Sequence, residues 1–510
     1  MAYTKEKLTK AGDYNLATAE ILSYKIAGGV PGQQVPFRID IQNIIISIEL
    51  QQSIFNRTTV GKIQVYDTKD VRTLTPIVGL ERLNLAFHTP GLAGFCNVSN
   101  EGHPFHIYKI ESVAPNRSGV AGAQAYDIYF CSREAYFSTF RKVSKAYTGQ
   151  VEVGVEDIFK NRKYLSSRKN LYIEPTRLPT RVVIPNLRPF EAIDMMAKRA
   201  VSGKYENAGY LFYETREGYH FRSIESLLAI AGSIARPAKW TYNYGVIGFR
   251  HHTGGKEIIK DMKIVEQWGL SRPVDVLNNI DGGAYASKLI EHDMFNKTIN
   301  TTEYDYAKDF GNHFHTEHQR GYKTDKKLPL PNAKFDDTFK TISQEYDQKV
   351  MLKSSTSNIH DTVEAGQTYT IDPISNKHTL QKALSQRKLL TCGILEFTAP
   401  GNSLLQAGDI ITFDMPLLEP LGHNKKLNSN PYWAGRYLIY DMKHSINRTE
   451  DRYSIEVRAV KDNPAFQFMP EHNSWTHIAP RPEVHNLYER DNELLARMSP
   501  TGDDIEGTPF

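Results

Sequence analysis

The chain has 510 residues, of which 62 are basic, 58 are acidic and 40% are hydrophobic. This is an ordinary globular composition with room for about three or four domains. The near balance of charge excludes a protein that binds nucleic acid through bulk positive charge. Three scattered cysteines, Cys96, Cys131 and Cys392, fit neither a disulfide framework nor a zinc site. No stretch predicts a signal peptide or a membrane span.

The aromatic content of 28 tyrosines and 23 phenylalanines favours β-structure. Residues 1–35 predict an N-terminal arm, with one short helix or strand near residues 17–24. From Phe37, apolar and polar residues alternate with the period of a half-buried strand. Similar patterns continue, and residues 36–132 are predicted to form a first tube-like antiparallel β-barrel domain. The predicted strands are 37–42, 61–67, 83–87, 105–110 and 126–130.

Residues 133–235 mix helix and strand signals and predict an α+β domain. Apolar residues recur at helical spacing after Pro189, which suits a first helical turn. The helix is expected to end at Ser202 and Gly203. A hairpin with its turn at Gly218 follows this helix.

A second tube-like β-barrel domain is predicted from residues 236–292 and 376–465. Its strand patterns are 395–398, 408–413, 437–442 and 453–457. Residues 293–375 interrupt it and are poorer in aliphatic side chains, which predicts a loop-rich insertion domain. Residues 466–510 are assigned to a C-terminal extension. The fold class is therefore α+β and β-rich, with mixed α/β peripheral domains around two barrels.

The two strand-rich regions share an order of elements. Each has a strand led by a glycine and ending in phenylalanine, 79–87 in the first and 408–413 in the second. Each then has an aromatic strand, and each ends with Tyr-x-Ile, at Tyr126 and Tyr453. Any two sheets built from Tyr, Ile and Phe can share this pattern of residues, so a chance likeness is the alternative explanation. A true duplication would let three chains present six similar positions in a ring.

These segments resemble the baseplate central hub subunit of contractile-tailed, T-even-like bacteriophages (myoviruses). The resemblance is spread over residues 37–465, and its specificity lies in the order of the segments. The segments are 61–70 with 77–87, 183–193 with 209–224, and 408–413 with 433–437 and 453–460.

The resemblance implies a structural protein and not an enzyme. It implies a homotrimeric ring that joins the sixfold tail tube to the threefold central spike in the virion, after assembly in the host cytoplasm. The implied partners are further copies of the chain, the tail tube protein, the central spike protein, other baseplate proteins and the tape measure protein. DNA passes through the ring without specific binding, so its wall is expected to be neutral or acidic. No cofactor or membrane insertion is expected.

Two alternative functions stay open at this point. One is the equivalent hub of a contractile secretion or toxin-delivery particle, which shares the architecture. The other is a carbohydrate-binding or carbohydrate-cleaving tail protein, which would need a cleft with paired carboxylates and exposed tryptophans. The chain has four tryptophans, and it contains no nucleophile elbow, zinc-protease motif or phosphate loop.

Two segments are candidate sites. His313, His315 and His318, with Glu317, carry transition-metal ligands, but their spacing suits neither a strand face nor a helix face. A solvated polar loop without metal is therefore the prediction for this segment. A possible partner-docking segment near the C-terminus comprises Leu487, Leu494, Leu495 and Met498. A short amphipathic stretch of this kind can lie in a partner's groove, or it can pack on its own subunit.

Overall fold

The computed structural model divides the chain into two compact units, Met1–Ala465 and Phe466–Phe510. All residues that the structure describes belong to the first unit. They are residues 8–23, 37–68, 71–74, 77–79, 81–92, 103–115, 123–177, 179–205, 207–230, 234–244, 255–271, 275–294, 297–316, 341–355, 361–364, 367–370, 376–390, 393–415, 430 and 433–462. In these ranges no helix is long and apolar enough to cross a membrane.

The first part of the chain is built from strands whose side chains alternate between a buried and a solvent-facing side. In the strand Val60–Asp67, Ile63 and Val65 are fully buried, whereas Lys62 and Gln64 are half-buried, as expected for period-2 side chains on a sheet with one packed face. The elements are β1 (Asn15–Ser23), β2 (Phe37–Asp40), β3 (Ile45–Ser53), β4 (Val60–Asp67), α1 (Val71–Leu74), β5 (Arg82–His88), β6 (Phe105–Pro115) and β7 (Gln124–Cys131).

The middle part alternates helices and short strands around its own apolar core. The helices Val151–Lys160 and Pro189–Ala197 approach closely because Gly154 leaves room for Met196, whose Cε would lie 2.4 Å from a Cβ at position 154. The elements are α2 (Arg133–Phe140), β8 (Val143–Gln150), α3 (Val151–Lys160), β9 (Leu171–Ile173), β10 (Pro179–Leu187), α4 (Pro189–Ala197), β11 (Tyr210–Thr215), β12 (Gly218–Ser223), α5 (Ile224–Leu228), β13 (Ala229–Ile230), β14 (Ile234–Ala235) and β15 (Trp240–Asn243).

The last part returns to long strands. Its elements are α6 (Gly255–Asp261), β16 (Gln267–Ser271), α7 (Val276–Asp281), β17 (Ala286–Asp293), β18 (Thr298–Asp305), α8 (Tyr306–Asp309), β19 (Val350–Ser355), β20 (Asp361–Glu364), β21 (Gln367–Thr370), α9 (Asn376–Leu390), β22 (Gly393–Pro400), β23 (Ile410–Asp414), β24 (Gly435–Asn447) and β25 (Arg452–Lys461). The fold is α+β and β-rich with a large antiparallel sheet, as the sequence predicts.

Thirteen of the described strands form one sheet. We call β3-β4-β7-β6-β5-β1 the first half-sheet and β16-β22-β25-β24-β23-β15 the second half-sheet, each given in order of pairing. Strand β2 pairs with β1 at the far edge. The half-sheets join where residues 441–447 of β24 pair antiparallel with residues 47–53 of β3. One apolar core contains side chains from both halves.

The two ends of the second half-sheet come together. Asn243, the last residue of β15, forms a parallel bridge with Ile264, three residues before β16. The Val265 amide donates to the Asn243 carbonyl at 3.1 Å. In the first half-sheet, the Ile41 amide that follows β2 donates to the Ala19 carbonyl of β1 at 3.0 Å, just before β3 begins at Ile45.

The strand, helix and hairpin predictions agree with the observed elements. Of the options for residues 17–24, the strand is correct, because β1 lies between β5 and β2 in the large sheet. Helix α4 begins at Pro189 as predicted but ends at Ala197, before Ser202. Part of the predicted loop-rich insertion is regular structure, since β18 and β19 flank β17 in a three-stranded sheet. Gln381 of α9 ties this sheet to the helix by donating to the Ser287 carbonyl at 3.0 Å.

Candidate functional site

A glycine turn precedes corresponding strands of the two half-sheets, with the glycine two residues before Glu81 in the first and one residue before Asp409 in the second. Gly79 before β5 and Gly408 before β23 both have φ of +90°, a backbone conformation that favours glycine. A buried carboxylate caps each turn: Glu81 accepts from the Gly79 amide at 2.9 Å, and Asp409 accepts from the Gln406 amide at 3.0 Å. The glycine-led strands of the sequence analysis therefore share a backbone geometry as well as a pattern.

Backbone contacts after these turns fix which residues correspond. The Glu81 carbonyl accepts from Ile107 at 3.0 Å, and the Asp409 carbonyl accepts from Ile439 at 2.9 Å. Immediately after each isoleucine the strand has a register shift, which leaves Tyr108 in β6 and Tyr440 in β24 outside the ladder. Because the same irregularity recurs at the same place, β6 corresponds to β24 residue by residue near this bulge.

The pairing register then aligns β7 with β25. Ile107 lies opposite Phe130, and Ile439 lies opposite Ala459, so Phe130 corresponds to Ala459. Counting along the strands, Tyr126 corresponds to Ile455. The predicted match of Tyr126 with Tyr453 is therefore wrong by two residues, although the order of elements on which it rested is present in the structure.

One face of the joined sheet carries a continuous polar surface, which we call the polar ladder. Arg458 bridges Glu396 at 3.4 Å and Asp441 at 3.7 Å. The ladder then crosses the junction, where Lys443 reaches Glu49 at 3.2 Å. Its charged members in the strands are six acidic and five basic side chains, Glu49, Glu111, Asp127, Glu396, Asp441, Glu456, Lys62, Lys109, Lys443, Arg452 and Arg458. These eleven side chains carry one excess acidic charge.

Charge is inverted at corresponding positions of the polar ladder. In the first half-sheet Tyr129 lies between two cations, with Lys62 Nζ 5.8 Å and Lys109 Nζ 5.2 Å from its ring centroid. In the second half-sheet Arg458 takes the place of Tyr129 between two carboxylates, Glu396 and Asp441. In each arrangement the charged side chains have neighbours of opposite sign, so neither half-sheet presents unpaired charge of one sign at these positions.

A buried ionic cluster joins the middle part of the chain to the first half-sheet. Lys169 lies between Glu134, 3.3 Å away, and Glu214, to which it donates a short hydrogen bond. Glu214 also accepts from the Ser132 hydroxyl at 2.5 Å and the Thr59 amide at 2.8 Å. Burial lowers the pKa of Lys169, but the charges of Glu214 and Glu134 outweigh this and raise it overall. Lys169 is therefore held in its charged form between two buried carboxylates.

A cavity of about 220 Å³ lies beside this cluster. Gln52 lines it, and its buried Oε1 has no hydrogen-bond partner. The volume is below the roughly 300–1,000 Å³ of ligand pockets. Glu214, which lines the cavity, already accepts hydrogen bonds from several donors. The arrangement offers space for ordered water rather than for a substrate.

His313 is buried among carboxylates from other elements. Its ring nitrogens contact Glu225 Oε1 and Asp309 Oδ2, both at 2.8 Å. Burial alone would lower the pKa of His313, but the hydrogen bonds to Asp309 and Glu225 raise it to about 9. The imidazolium therefore ties the segment after α8 to α5. The prediction of a solvated loop is wrong at this position, because His313 is only 4% exposed.

His315 is likewise buried rather than solvated. Its Nδ1 lies 2.7 Å from Asp462 Oδ2, and Asp462 also accepts from the Thr316 amide and hydroxyl. The rings of His313 and His315 thus bind separate carboxylates, and no cluster of three metal-ligating side chains occurs among the described residues. His318 and Glu317 lie outside the described residues, as do Leu487, Leu494, Leu495 and Met498.

Raising the pH should weaken the His313 contacts. Since its folded pKa of about 9 lies above the ordinary 6.5, the stabilisation is complete below pH 6.5 and is lost as the pH rises through 9. The free energy of unfolding is expected to fall by up to about 1.4 kcal/mol per pH unit in this window. Urea unfolding of the wild type and His313→Gln at pH 6.5, 8 and 9.5 measures it. Parallel curves for the two proteins would contradict the assignment.

The buried ionic groups are the feature that sequence reasoning missed. Lys169, Glu134 and Glu214 are separated by 35 or more positions along the chain, and no local pattern marks any of them as buried. Lys169 lies between Arg168 and Asn170, and Glu134 follows Arg133, a polar context that surface residues also have.

The chain matches no protein-family model and no curated protein. Among solved structures, it is similar to a tail protein from Neisseria meningitidis, with 10% identity over 87% of this chain and 97% of the other and a TM-score of 0.46. It is similar to the 43 kDa tail protein of prophage MuSo2 from Shewanella oneidensis, with 9% identity, 87% and 98% coverage and a TM-score of 0.43. It is also similar to the E. coli c3393 protein, a type VI secretion system component, with 11% identity, 87% and 78% coverage and a TM-score of 0.37.

Proposed function

We propose that this chain is the central hub subunit of a phage tail baseplate. Three copies form a ring that joins the sixfold tail tube to the threefold spike, within a virion assembled in the host cytoplasm. The observation that carries the proposal is the repeated strand order, which gives each chain two similar half-sheets joined edge to edge. Three such chains offer six similar units to the tube and three identical ones to the spike, which closed rotational symmetry permits.

The half-sheets are proposed to act as two tube-like barrels. The bridge between Asn243 and Ile264 supports this for the second half-sheet, because it brings both ends of the strand series into contact. Closing the edges protects strands that would otherwise pair with other chains. In the first half-sheet, the hydrogen bond from the Ile41 amide to the Ala19 carbonyl links β1 to the segment that leads into β3.

The polar ladder is proposed to line the DNA channel. A channel wall that lets DNA pass without binding it must not attract phosphates. Clustered cations would bind DNA strongly, because they release the counterions of its phosphates. Lys62 and Lys109 contact the ring of Tyr129, and Arg458 is paired with Glu396 and Asp441. Mixed and internally paired charge suits a surface along which DNA slides.

The role is proposed to be structural rather than enzymatic. Among the described residues, Glu134 and Glu214 form one pair of neighbouring carboxylates, and both are buried against Lys169. A glycosidase needs a solvent-accessible pair with one carboxyl of raised pKa, whereas the pKa of Glu134 is lowered: burial raises it, but the Lys169 charge outweighs that effect. A glycan hydrolysis assay with no product above buffer supports this view, and turnover would contradict it.

The purified protein is expected to have a molar mass near three times its chain mass of 58.0 kDa, measured by light scattering after size exclusion. The mass should hold on dilution, because obligate ring interfaces bury more than about 2,000 Å². A clean monomer at high concentration, both alone and after co-expression with the spike protein of the same genome, would contradict the hub assignment.

A further inference from the structure

The junction between the half-sheets is a model for a second interface. Inside the chain, residues 441–447 of β24 pair antiparallel with residues 47–53 of β3. Lys443 lies opposite Gln51 there, and Ser445 lies opposite Glu49. The junction therefore combines a backbone ladder with apolar contacts on the core side.

Both partners of this junction have counterparts elsewhere in the sheet. Strand β6 corresponds to β24 through the shared bulge. Glu111 takes the place of Lys443, because Glu111 lies opposite Asp127 in β7 as Lys443 lies opposite Glu456 in β25. Strand β16 corresponds to β3, since it pairs with β22 as β3 pairs with β4. Counting along these ladders puts Ser271 in the place of Gln51.

The counterparts have free edges where the junction strands are paired. In the described part of the chain, β16 pairs only with β22. Among the described strands, residues 109–115 of β6 pair only with β7, because β5 pairs with β6 no further than His106. Within the part of the chain that the structure describes, there is thus one edge of the β24 type and one of the β3 type without a strand beside it.

The burial of apolar side chains also indicates that these edges are sites of strand pairing. At the internal junction Ile48, Leu50 and Met442 are 0–1% exposed. Their counterparts Trp268, Leu270 and Ile110 are only partly buried at the margin of the same core. A strand added at each free edge would complete the burial that the internal junction already achieves.

We propose that β6 of one copy pairs antiparallel with β16 of the next copy, repeating the internal junction between subunits, with Glu111 opposite Ser271. The proposal rests on the hub function and names its subunit contact. Each copy contributes β6 to the contact with one neighbour and β16 to the contact with the other. The contact is therefore head-to-tail and generates a ring when the rotation closes. The pairing around Glu111 repeats the internal junction, whereas a second bulge between Glu111 and Ala114 changes the β6 ladder beyond it. The polar contacts also differ.

The difference in polar contacts is itself consistent with this pairing. Gly269 stands where Glu49 stands at the internal junction, so the ion pair of Glu49 with Lys443 has no counterpart. In its place Lys109 and Glu111, adjacent on one face of β6, pair with each other. The proposed edge therefore leaves no charge unpaired when β16 covers it.

Cysteine cross-linking tests the register. The double variant Glu111→Cys with Ser271→Cys is made in a chain carrying Cys96→Ser and Cys392→Ser. Cys131 is retained because it is buried, which raises the pKa of its thiol to about 12. Directly opposed strand residues have Cα atoms about 4.5–5.5 Å apart, which suits a disulfide. Mild oxidation is expected to convert most of the protein to covalent trimers on a denaturing gel, reversed by reductant.

The matched control moves one cysteine along the same strand. Glu111→Cys with Gln267→Cys places the thiols about 13 Å out of register and is expected to give less than a tenth of the cross-link. Light scattering of the reduced proteins separates the two hypotheses. A trimer that cross-links no better at 111/271 than at 111/267 overturns the β6–β16 contact and leaves the hub standing. A monomer without cross-links, alone and with the spike protein, overturns both.

Discussion

Replacing Gly61 by leucine is expected to destabilise the chain by roughly 1–3 kcal/mol or more, the usual cost of overpacking. A Cβ at this position would lie 2.2 Å from Phe130 Cζ and 2.6 Å from the Glu49 carbonyl oxygen. The aromatic ring of Phe130 occupies the space that a side chain on Gly61 would need. Removing that ring by Phe130→Ala should cost about 3–5 kcal/mol through the cavity it leaves.

The two substitutions are expected to compensate in part when combined. The second half-sheet has Leu395 opposite Ala459 where the first has Gly61 opposite Phe130. The larger side chain of the pair therefore lies on β22 in the second half-sheet and on β7 in the first. The double variant should therefore lose less free energy of unfolding than the sum of the singles, by about 1 kcal/mol or more. Some loss remains because the Glu49 carbonyl must also move.

Urea unfolding of the four proteins measures this coupling. Gly269→Ala is the matched control, since its Cβ would meet nothing within 4 Å, and it should change stability by no more than about 0.5 kcal/mol. Additive losses at positions 61 and 130 would show that the two side chains do not share one space. The residue correspondence between the half-sheets would then be wrong at this point.

The sequence predicts individual strands well because each has one buried face and hence a two-residue period. The same period explains the error at Tyr126 and Tyr453. Sliding a strand by two residues keeps every side chain on its face, so a pattern of alternating apolar residues cannot fix register. The bulges at Tyr108 and Tyr440 fix it in the structure, and nothing in the local sequence marks them.

The junction of the half-sheets was beyond the reach of sequence patterns. Strands β3 and β24 are separated by almost the whole described chain, and strand pairing at that distance leaves no periodic signal. The histidine segment shows a related limit. His313 and His315 are buried because Glu225 and Asp462, remote in sequence, supply the charges. A polar segment without such partners would be solvated, as the sequence alone indicated.

Replacing Lys169 by methionine is expected to cost about 3–5 kcal/mol, the usual penalty for removing one partner of a buried ion pair. Methionine retains the length and apolar stem of lysine, so packing changes little while the charge disappears. Glu134 and Glu214, both under 5% exposed, then face each other without a cation. Since Glu214 also binds Ser132 and Thr59, the contact between the middle part and the first half-sheet should loosen.

Lys145→Met is the matched control, because Lys145 pairs with Asp157 at 2.8 Å with nearly half of its side chain exposed. Exposed pairs contribute about 0–1 kcal/mol. The penalty at Lys169 should shrink from pH 7 to pH 5, since carboxylates that lack their cation take up protons in the folded state more readily than in the unfolded one. Adding Glu134→Gln should recover part of the loss at pH 7. Equal effects of Lys169→Met and Lys145→Met would mean that hydrogen bonds, and not charge pairing, hold Glu214 in place.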